Sequence, residues 1–509
     1  MFLNFSDKLR MCEVTLENFE QLLPSIRDHI STASFVAFDC EFTALHPDSR
    51  REMKNSLFDS MESRYRKLAS PAGHAIISQL GLSVFQQLPE PHSAQYEVRT
   101  YNFYLCPRSF GSVDERWVCQ ASSLEFLIRY GFDFNKFLYL GISSLNKGQE
   151  DKLQRDLEDG VLFRALDRNI PMQDEDRIQE VCSILAVWSS TAGEGERTGP
   201  LDIGLVVPLV LHTEIRRRFP CLWSFGQQEG FFVEKVAKDR RAELEAVEGS
   251  KQLQEQFLDS MLGFTKVFRH LSQAGKPLVG HNCLLDLLKM FRQFEHSLPH
   301  KYGDFKQEIH RLFPLIFDTK HICYDMKKQI NKLQGNARCA VPRELEKLLS
   351  SSNLSQLHRV LQERPLHPHT PSLITPDGFS RYSGQAAPHE AGFDALMAGS
   401  CFLGLGHLAA SLKLPQSRPL AFGEKLLALA PHKNRINVAR AALTHIHLAG
   451  PDPEPNRPSW LHVTSRSGGL GVVVLAEKLA RWGSVDVRPL GSRAALVAVG
   501  NHCAVGCFS

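Results

Sequence analysis

Residues 35–42 read FVAFDCEF, an apolar, β-prone run that carries two acids, Asp39 and Glu41, two positions apart. Along a strand that spacing puts both side chains on one face of the sheet. Carboxylates held side by side repel and raise each other's pKa unless a cation neutralises them. Divalent Mg²⁺ or Mn²⁺ accepts such oxygen ligands. In isolation the same pattern is the wet end of an ordinary strand, so its meaning depends on what the rest of the chain supplies.

Upstream, Leu16, Phe19, Leu22 and Leu23 recur at helical spacing and predict a helix over LENFEQLLPSIRDHI. Downstream, past the charged connection RREMKNSLFDSMESRYRKL, Ile76–Phe85 and Thr100–Leu105 predict two further strands. Consecutive strands beside a helix mark an α/β domain. The pattern resumes with a helix over FLDSMLGFTKVFRHLSQAG, a strand at KPLVGHN, a helix over LLDLLKMFRQFEH and the apolar FPLIFDTK. A loop rich in Pro, His, Ser and Gly spans Arg364–Ala387, and a helix beginning near His389 closes the domain.

These later segments carry partners for the two acids. In VGHNCLLDLL a turn at Gly280-His281-Asn282 leads into a helix whose first turns hold Asp286 among leucines. Alone, that acid is accounted for by the helix dipole. In HEAGFDAL, His389 stands five residues before Asp394. On one continuous helix the two would point about 140° apart, so His389 is expected at or before the helix start, leaning over whatever Asp394 faces. A lone histidine there is commonly a cap or a surface residue. Together, Asp39, Glu41, Asp286, His389 and Asp394 form a constellation that no structural requirement explains. Four carboxylates suit two divalent ions about 3.5–4 Å apart, one activating a water and the other stabilising a leaving 3′ oxygen. His389 is expected to take the proton of that water.

At these residues the chain resembles the DEDDh exonucleases, which share an RNase H-like fold, and within them the poly(A)-specific ribonuclease family. The strings that carry the resemblance are FDCEF, YNFYLCP, WVCQASSLEFL, YGFDFNKF, GHNCLLDLL, FPLIFDTK and HEAGFDA, spread over roughly residues 15–410. IISQLGLSVF, KPLVGHN, FKQEIHRLFPLIFDTK and LWSFGQQEGFFVEKVAKDRR place it nearer the piRNA-trimming branch than the mRNA deadenylase. The resemblance implies a 3′→5′ exoribonuclease that trims single-stranded RNA 3′ ends and releases 5′-nucleotides. Asp39, Glu41, Asp286 and Asp394 would hold two Mg²⁺ ions, with Mn²⁺ as the alternative, and His389 would be the general base. It also implies that Phe42, Lys320 and Leu354 contact the terminal nucleotides. A lysine can meet a phosphate and the two apolar side chains can press on bases, although core packing and a solvated lysine are their ordinary roles. Asp318 of FDTK reads as structural. A homodimer is a further implication of the family.

The expected architecture is thus a mixed sheet flanked by helices, an exonuclease domain in two pieces, 1–160 and 250–415. Residues 161–249 read as a small inserted α/β domain with a Gly-rich break (STAGEGERTGP), a basic run (Arg216, Arg217, Arg218) and the strand-like FFVEKV. It stands where the family carries a nucleic-acid-binding domain with an Arg-x-x-x-His signature, which residues 165–245 lack. Arg216–Arg218, Lys235, Lys238, Arg240 and Arg241 offer either a guide for RNA or a solvated face. Residues 416–509 read as a degenerate RRM-like region, with a β–α–β–β order over LHVTSR, LAEKLARWG, VDVRPL and AALVAV behind a Pro-rich linker, GPDPEPNRP. It has no RNP aromatics to stack bases.

A length of 509 residues suits about three domains. A net charge of +3 excludes a histone-like field, so RNA contact must come from local geometry. Twelve cysteines without CxxC pairs point to reduced thiols, and Cys40 and Cys283 sit in apolar runs as small hydrophobes. Asp7, Lys8 and Arg10 come too early for a signal peptide, and no apolar run reaches the ~18 residues of a membrane span. The trimming branch typically adds a C-terminal anchor, and ALVAVGNHCAVGCFS is too short and polar for one. An intracellular place in cytoplasm or nucleus is expected, or at an endoplasmic reticulum or mitochondrial surface if a longer form or a protein partner tethers the chain. Three other readings stand beside the trimmer: a poly(A) deadenylase, a DNA exonuclease, and an inactive RNA-binding scaffold that keeps the fold.

Overall fold

A computed structural model of the chain describes residues 12–45, 55–70, 74–89, 94–159, 172–204, 206–227, 230–247, 250–334, 353–363, 369–384, 386–412, 414, 418–455, 457–466 and 468–500. By packing it divides into two units, one of residues 1–107, 116–142 and 264–509, the other of 108–115 and 143–263.

The first unit is organised around β2. It opens with β1 (Glu13–Val14) and α1 (Phe19–Thr32), followed by β2 (Phe35–Phe42), β3 (Ile77–Gln87), β4 (Gln95–Tyr104) and α2 (Ala121–Arg129). After the second unit come β5 (Leu278–Gly280), α3 (Leu284–Met290), β6 (Ile316–Asp318), α4 (Thr319–Gln334), β7 (Ser372–Ile374) and α5 (Ala391–Ser411). The strands form a mixed seven-stranded sheet in the order β1-β4-β3-β2-β5-β6, with β7 also on β4. β2–β3 and β3–β4 run antiparallel, whereas β5 runs parallel to β2 and β6 parallel to β5.

Phe35, Val36, Ala37 and Phe38 are all fully buried, as a central strand covered on both faces requires. Alternation sends Val36, Phe38, Cys40 and Phe42 into one core with Phe19, Leu23, Ile26 and Ile30 of α1. Phe35 and Ala37 enter the other, against α4 and α5. Asp39 and Glu41 therefore belong to the face that α5 covers. β4 begins five residues before Thr100, because QYEVR buries Tyr96 and Val98 while its polar residues stay half-exposed. α5 is the one helix among the described residues long and apolar enough to cross a membrane. Here it is a core helix, burying 17 of its 21 residues, Asp394 and His407 among them.

The second unit has its own core, with Leu153, Leu185, Leu211, Val233 and Phe257, and an antiparallel sheet of Arg197–Leu201, Gly230–Lys235 and Leu222–Gln227. It extends beyond 161–249 because the helices Lys147–Glu158 and Ser250–Leu262 place Leu153, Leu157, Phe257 and Met261 in that core. Residues 160–171, where composition puts its start, lie outside the described residues. The helix predicted over 257–275 is broken at Gly263 (φ 43°), where a Cβ would lie 2.2 Å from the Ser143 carbonyl oxygen.

Past α5 the chain does not leave the first unit. A hairpin of β8 (Arg435–Asn437) and β9 (His445–His447) lies beside β6. The Pro-rich stretch that reads as a linker is anchored: Asp452 accepts from Lys306 Nζ (2.7 Å), Tyr302 Oη (2.7 Å) and the His447 amide (2.9 Å). Then β10 (Leu461–Thr464), α6 (Val472–Ala480), β11 (Val485–Pro489) and β12 (Ala494–Val499) form a sheet in the order β10-β12-β11. One face packs Val463, Val497 and Val499 against Leu475 and Leu479. On the other, Asp486 takes the Leu57 amide (2.6 Å) and Arg440 (2.6 Å), and Arg488 lies over the Phe58 ring at 4.5 Å. Residues 501–509 of the terminal apolar stretch lie outside the described residues.

Candidate active site

Of the five residues singled out from the sequence, Glu41, His389 and Asp394 meet at the end of β2, and Asp39 and Asp286 lie near enough for their charges to act on that group. Asp39 pairs across the sheet with Gly81 of β3. A Cβ at Gly81 would fall 2.0 Å from the Ala391 carbonyl oxygen, so glycine is what lets the first turn of α5 settle on the strand. Two strand side chains hold that turn: Gln79 Oε1 accepts the Ala391 amide and Asn102 Oδ1 the Gly392 amide, both at 3.0 Å. Asn102 Nδ2 donates to Glu390 Oε1 (3.1 Å), which Arg381 also grips at 2.9 Å. The result puts Asp394 one turn into α5 and leaves His389 just outside it, in left-handed backbone (φ 65°). A non-glycine residue held there is strained and persists only where its surroundings impose it.

Ligand atoms of Glu41, His389 and Asp394 lie within 4.8 Å of one another. The His389 amide donates to Asp394 Oδ1 at 3.4 Å, and its Nδ1 is 3.9 Å from Asp394 Oδ2. Asp286 is the third residue of α3 and lies near Cys40 of β2, whose thiol is pushed up by burial and then by the charges of Asp286 and Asp39.

Burial and mutual repulsion dominate the electrostatics. Asp39 is pushed well above the carboxylate range by desolvation, then by Asp394, Asp286 and Glu41. Glu41 is raised likewise by burial, Asp394 and Asp286. Asp286 and Asp394 rise to about 7, chiefly by burial. Among the described residues no Lys or Arg ion-pairs with any of the four. Glu41 and Asp394 converging with His389, with Asp39 and Asp286 nearby and no cation among the described residues to answer them, fit hard divalent ions.

Asp318 is fully buried and wholly different. Its Oδ1 accepts the amides of Asn282 (2.9 Å), Lys320 (2.9 Å) and His321 (3.4 Å), and its Oδ2 those of Cys283 (3.3 Å) and Asn437 (2.9 Å). It caps α4 and ties three chain segments together, a structural task.

The three residues assigned to RNA by resemblance have different surroundings. Phe42 is buried in the core on the α1 side. Lys320 is half-buried beside Asp318. Leu354 packs against the cluster of Tyr382, Phe393 and Met397, of which Phe393 precedes Asp394 in sequence. Phe126 and Tyr130 escape a reading from sequence alone: their rings lie 4.7 and 4.3 Å from the His389 imidazole, and Tyr130 is 42% exposed. The string LEFLIRY puts them four apart on a helix face, a periodicity that also fits plain packing. In the second unit the basic residues are mostly engaged. Arg216 lies 3.5 Å over Trp223, Arg217 and Arg218 pair with Glu214 at 2.8 Å, and Lys235 donates to the Ser189 and Ala192 carbonyls.

Clustered acids and a histidine at the end of a central strand of a mixed sheet define a class of protein, the nucleases that cleave phosphodiesters. The profile of the CAF1 family ribonucleases matches residues 14–402. The pre-piRNA 3′-exonuclease trimmer of Bombyx mori is 33% identical over 503 residues, covering 96% of this chain and 88% of that protein. The poly(A)-specific ribonuclease PNLDC1 of Mus musculus is 34% identical, covering 89% and 82%. The poly(A)-specific ribonuclease PARN of Xenopus laevis is 28% identical, covering 89% and 71%. The chain belongs to the CAF1 family of ribonucleases.

Proposed function

We propose that this chain is a divalent-metal-dependent 3′→5′ exoribonuclease that shortens single-stranded RNA from its 3′ end and releases 5′-nucleotides. The observation that carries the reading is the convergence of Glu41, His389 and Asp394, with Asp39 and Asp286 pushed up chiefly by burial and no cation among the described residues to neutralise them. Asp39, Glu41, Asp286 and Asp394 hold the ions, Mg²⁺ or Mn²⁺. Bound there, such ions lower the pKa of a water and offset charge on the scissile phosphate. His389 supplies the base: with Nδ1 toward Asp394, Nε2 is the nitrogen free to accept a proton from water. Phe126 and Tyr130 hold the imidazole in place, and Tyr130, Leu354 and Lys320 border the path of the terminal nucleotides.

Identity of 33% to the pre-piRNA trimmer against 28% to PARN supports RNA 3′-end trimming, and the 34% identity to PNLDC1, a protein named as a poly(A)-specific ribonuclease, keeps poly(A) shortening as the second reading. The second unit occupies the place of the family's small nucleic-acid-binding domain. The β10–α6–β11–β12 region has the strand order of an incomplete RRM, with one sheet face already occupied by the chain's own residues 56–58. An intracellular location and a homodimer accompany this reading.

Asp39→Asn is the test. Activity on 3′-extended RNA is expected to fall by about 10³-fold or more, a barrier increase of about 4 kcal/mol, with the melting temperature unchanged or raised because a buried repulsion is relieved. Activity within tenfold of wild type would sink the site assignment. Running oligo(A) beside a mixed-sequence tail separates trimming from deadenylation.

A further inference from the structure

The turn that delivers Asp286 is gripped from beyond the end of the family match. Asn282, the residue before the cap of α3, is the second non-glycine residue at the site in left-handed backbone (φ 61°). Asparagine visits that conformation more readily than most residues, and contacts from two other segments fix it here. Its amide and that of Cys283 are held by Asp318. Its side chain is held by Asn437, whose Nδ2 donates to Asn282 Oδ1 at 2.6 Å across 155 residues of chain. The Asn437 amide donates in turn to Asp318 Oδ2 at 2.9 Å. Asn437 thus meets the turn directly, through its side chain at Asn282, and indirectly, through its backbone at the Asp318 carboxylate that holds the Asn282 and Cys283 amides.

The strut itself is well founded. β8 is seated beside β6, Ile436 is fully buried, and the side chain of Asn434, just before β8, accepts the Ile316 amide (2.9 Å) and donates to the Pro314 carbonyl (2.9 Å). Below Asn282, α3 runs directly to Asp286 on its third residue. A rotation of the turn therefore moves the carboxylate, because a short helix cannot absorb it.

We infer that Asn437, on a hairpin past residue 402 where the family match ends, is a positioning residue that holds the Asn282 turn and through it the metal-binding carboxylate of Asp286. The inference rests on Asp286 being a metal ligand. Outer partners of this kind orient ligands without touching the ion.

The test compares the full chain with Asn437→Ala, Asn437→Asp and Asp286→Asn. It reads Mn²⁺ binding directly by electron paramagnetic resonance, the kcat and KM on a mixed-sequence RNA tail, and the melting temperature. Asn437→Ala is expected to weaken Mn²⁺ binding and lower kcat about tenfold, the low end of what such partners contribute, with KM for RNA unchanged and melting shifted by only about 2–4 °C. Asn437→Asp should recover most of the loss, since the Asn282 amide can turn its NH₂ toward a carboxylate. Wild-type Mn²⁺ affinity in Asn437→Ala would overturn the inference, as would a large melting loss that falls on KM and kcat alike and is not rescued. Wild-type Mn²⁺ binding in Asp286→Asn would instead remove the metal-site reading, and the inference with it.

Discussion

Two carboxylates at strand ends, the half-buried Asp39 and the fully buried Asp318, show how the same side chain acquires opposite tasks. Asp318 is answered by five backbone amides, and a carboxylate so satisfied has nothing left to offer a cation. Asp39 is met by Asp394, Asp286 and Glu41, each of which raises it further. The same contrast governs histidines. His212 is buried, stacked on Phe231 at 4.3 Å, with Nδ1 2.8 Å from the Ser224 hydroxyl. Burial first, and the charge of Arg216 second, pull it down to about 3. The folded chain therefore holds it neutral, while the unfolded chain takes up a proton below about pH 6.5. Its contribution to stability is complete above that pH and is lost as pH falls from about 6.5 toward 3. A denaturation series from pH 7.5 to 5 should show the wild type losing more stability than His212→Gln. Parallel curves would contradict the assignment.

At the scale of elements, the site exists because α5 comes down on β3. Gly81, Gln79 and Asn102 receive its first turn, and Gly399 lets it pass the Phe85 ring, where a Cβ would sit 2.1 Å away. Gly81→Ala must push backbone rather than a flexible side chain. It is expected to cost about 1–3 kcal/mol in urea denaturation and to depress RNA hydrolysis further than that loss explains, because Asp394 and His389 move with the turn. A variant destabilised to that extent but fully active would show that the turn can shift without consequence.

For the whole molecule, separate cores set what unfolds together. The second unit holds Leu211 fully buried among its own apolar residues. Leu211→Ala is expected to cost about 2–5 kcal/mol through the cavity it leaves. Hydrogen exchange should speed up within residues 143–263 while β2 and β3 keep their protection. Equal loss of protection in β2 would mean that the chain opens as one cooperative body. The C-terminal segments behave differently, since β8 and Asp452 are bonded into the first unit.

What the sequence determined by itself was everything carried by local pattern. FVAFDCEF is a strand because its apolar residues fill both faces, and the order Asp39, Glu41, Asp286, His389, Asp394 is visible because an acid in an apolar run stands out. The first half of β4 escaped because half-exposed polar residues mask a buried alternation, and Gly263 because its neighbour is Ser143, far back in the chain. Tyr130 against His389 and Asn437 on Asn282 were likewise decided only by the tertiary structure. Periodicity is a property of neighbours in sequence. The partner that satisfies a buried polar group is chosen by packing between segments hundreds of residues apart, and no local pattern records it.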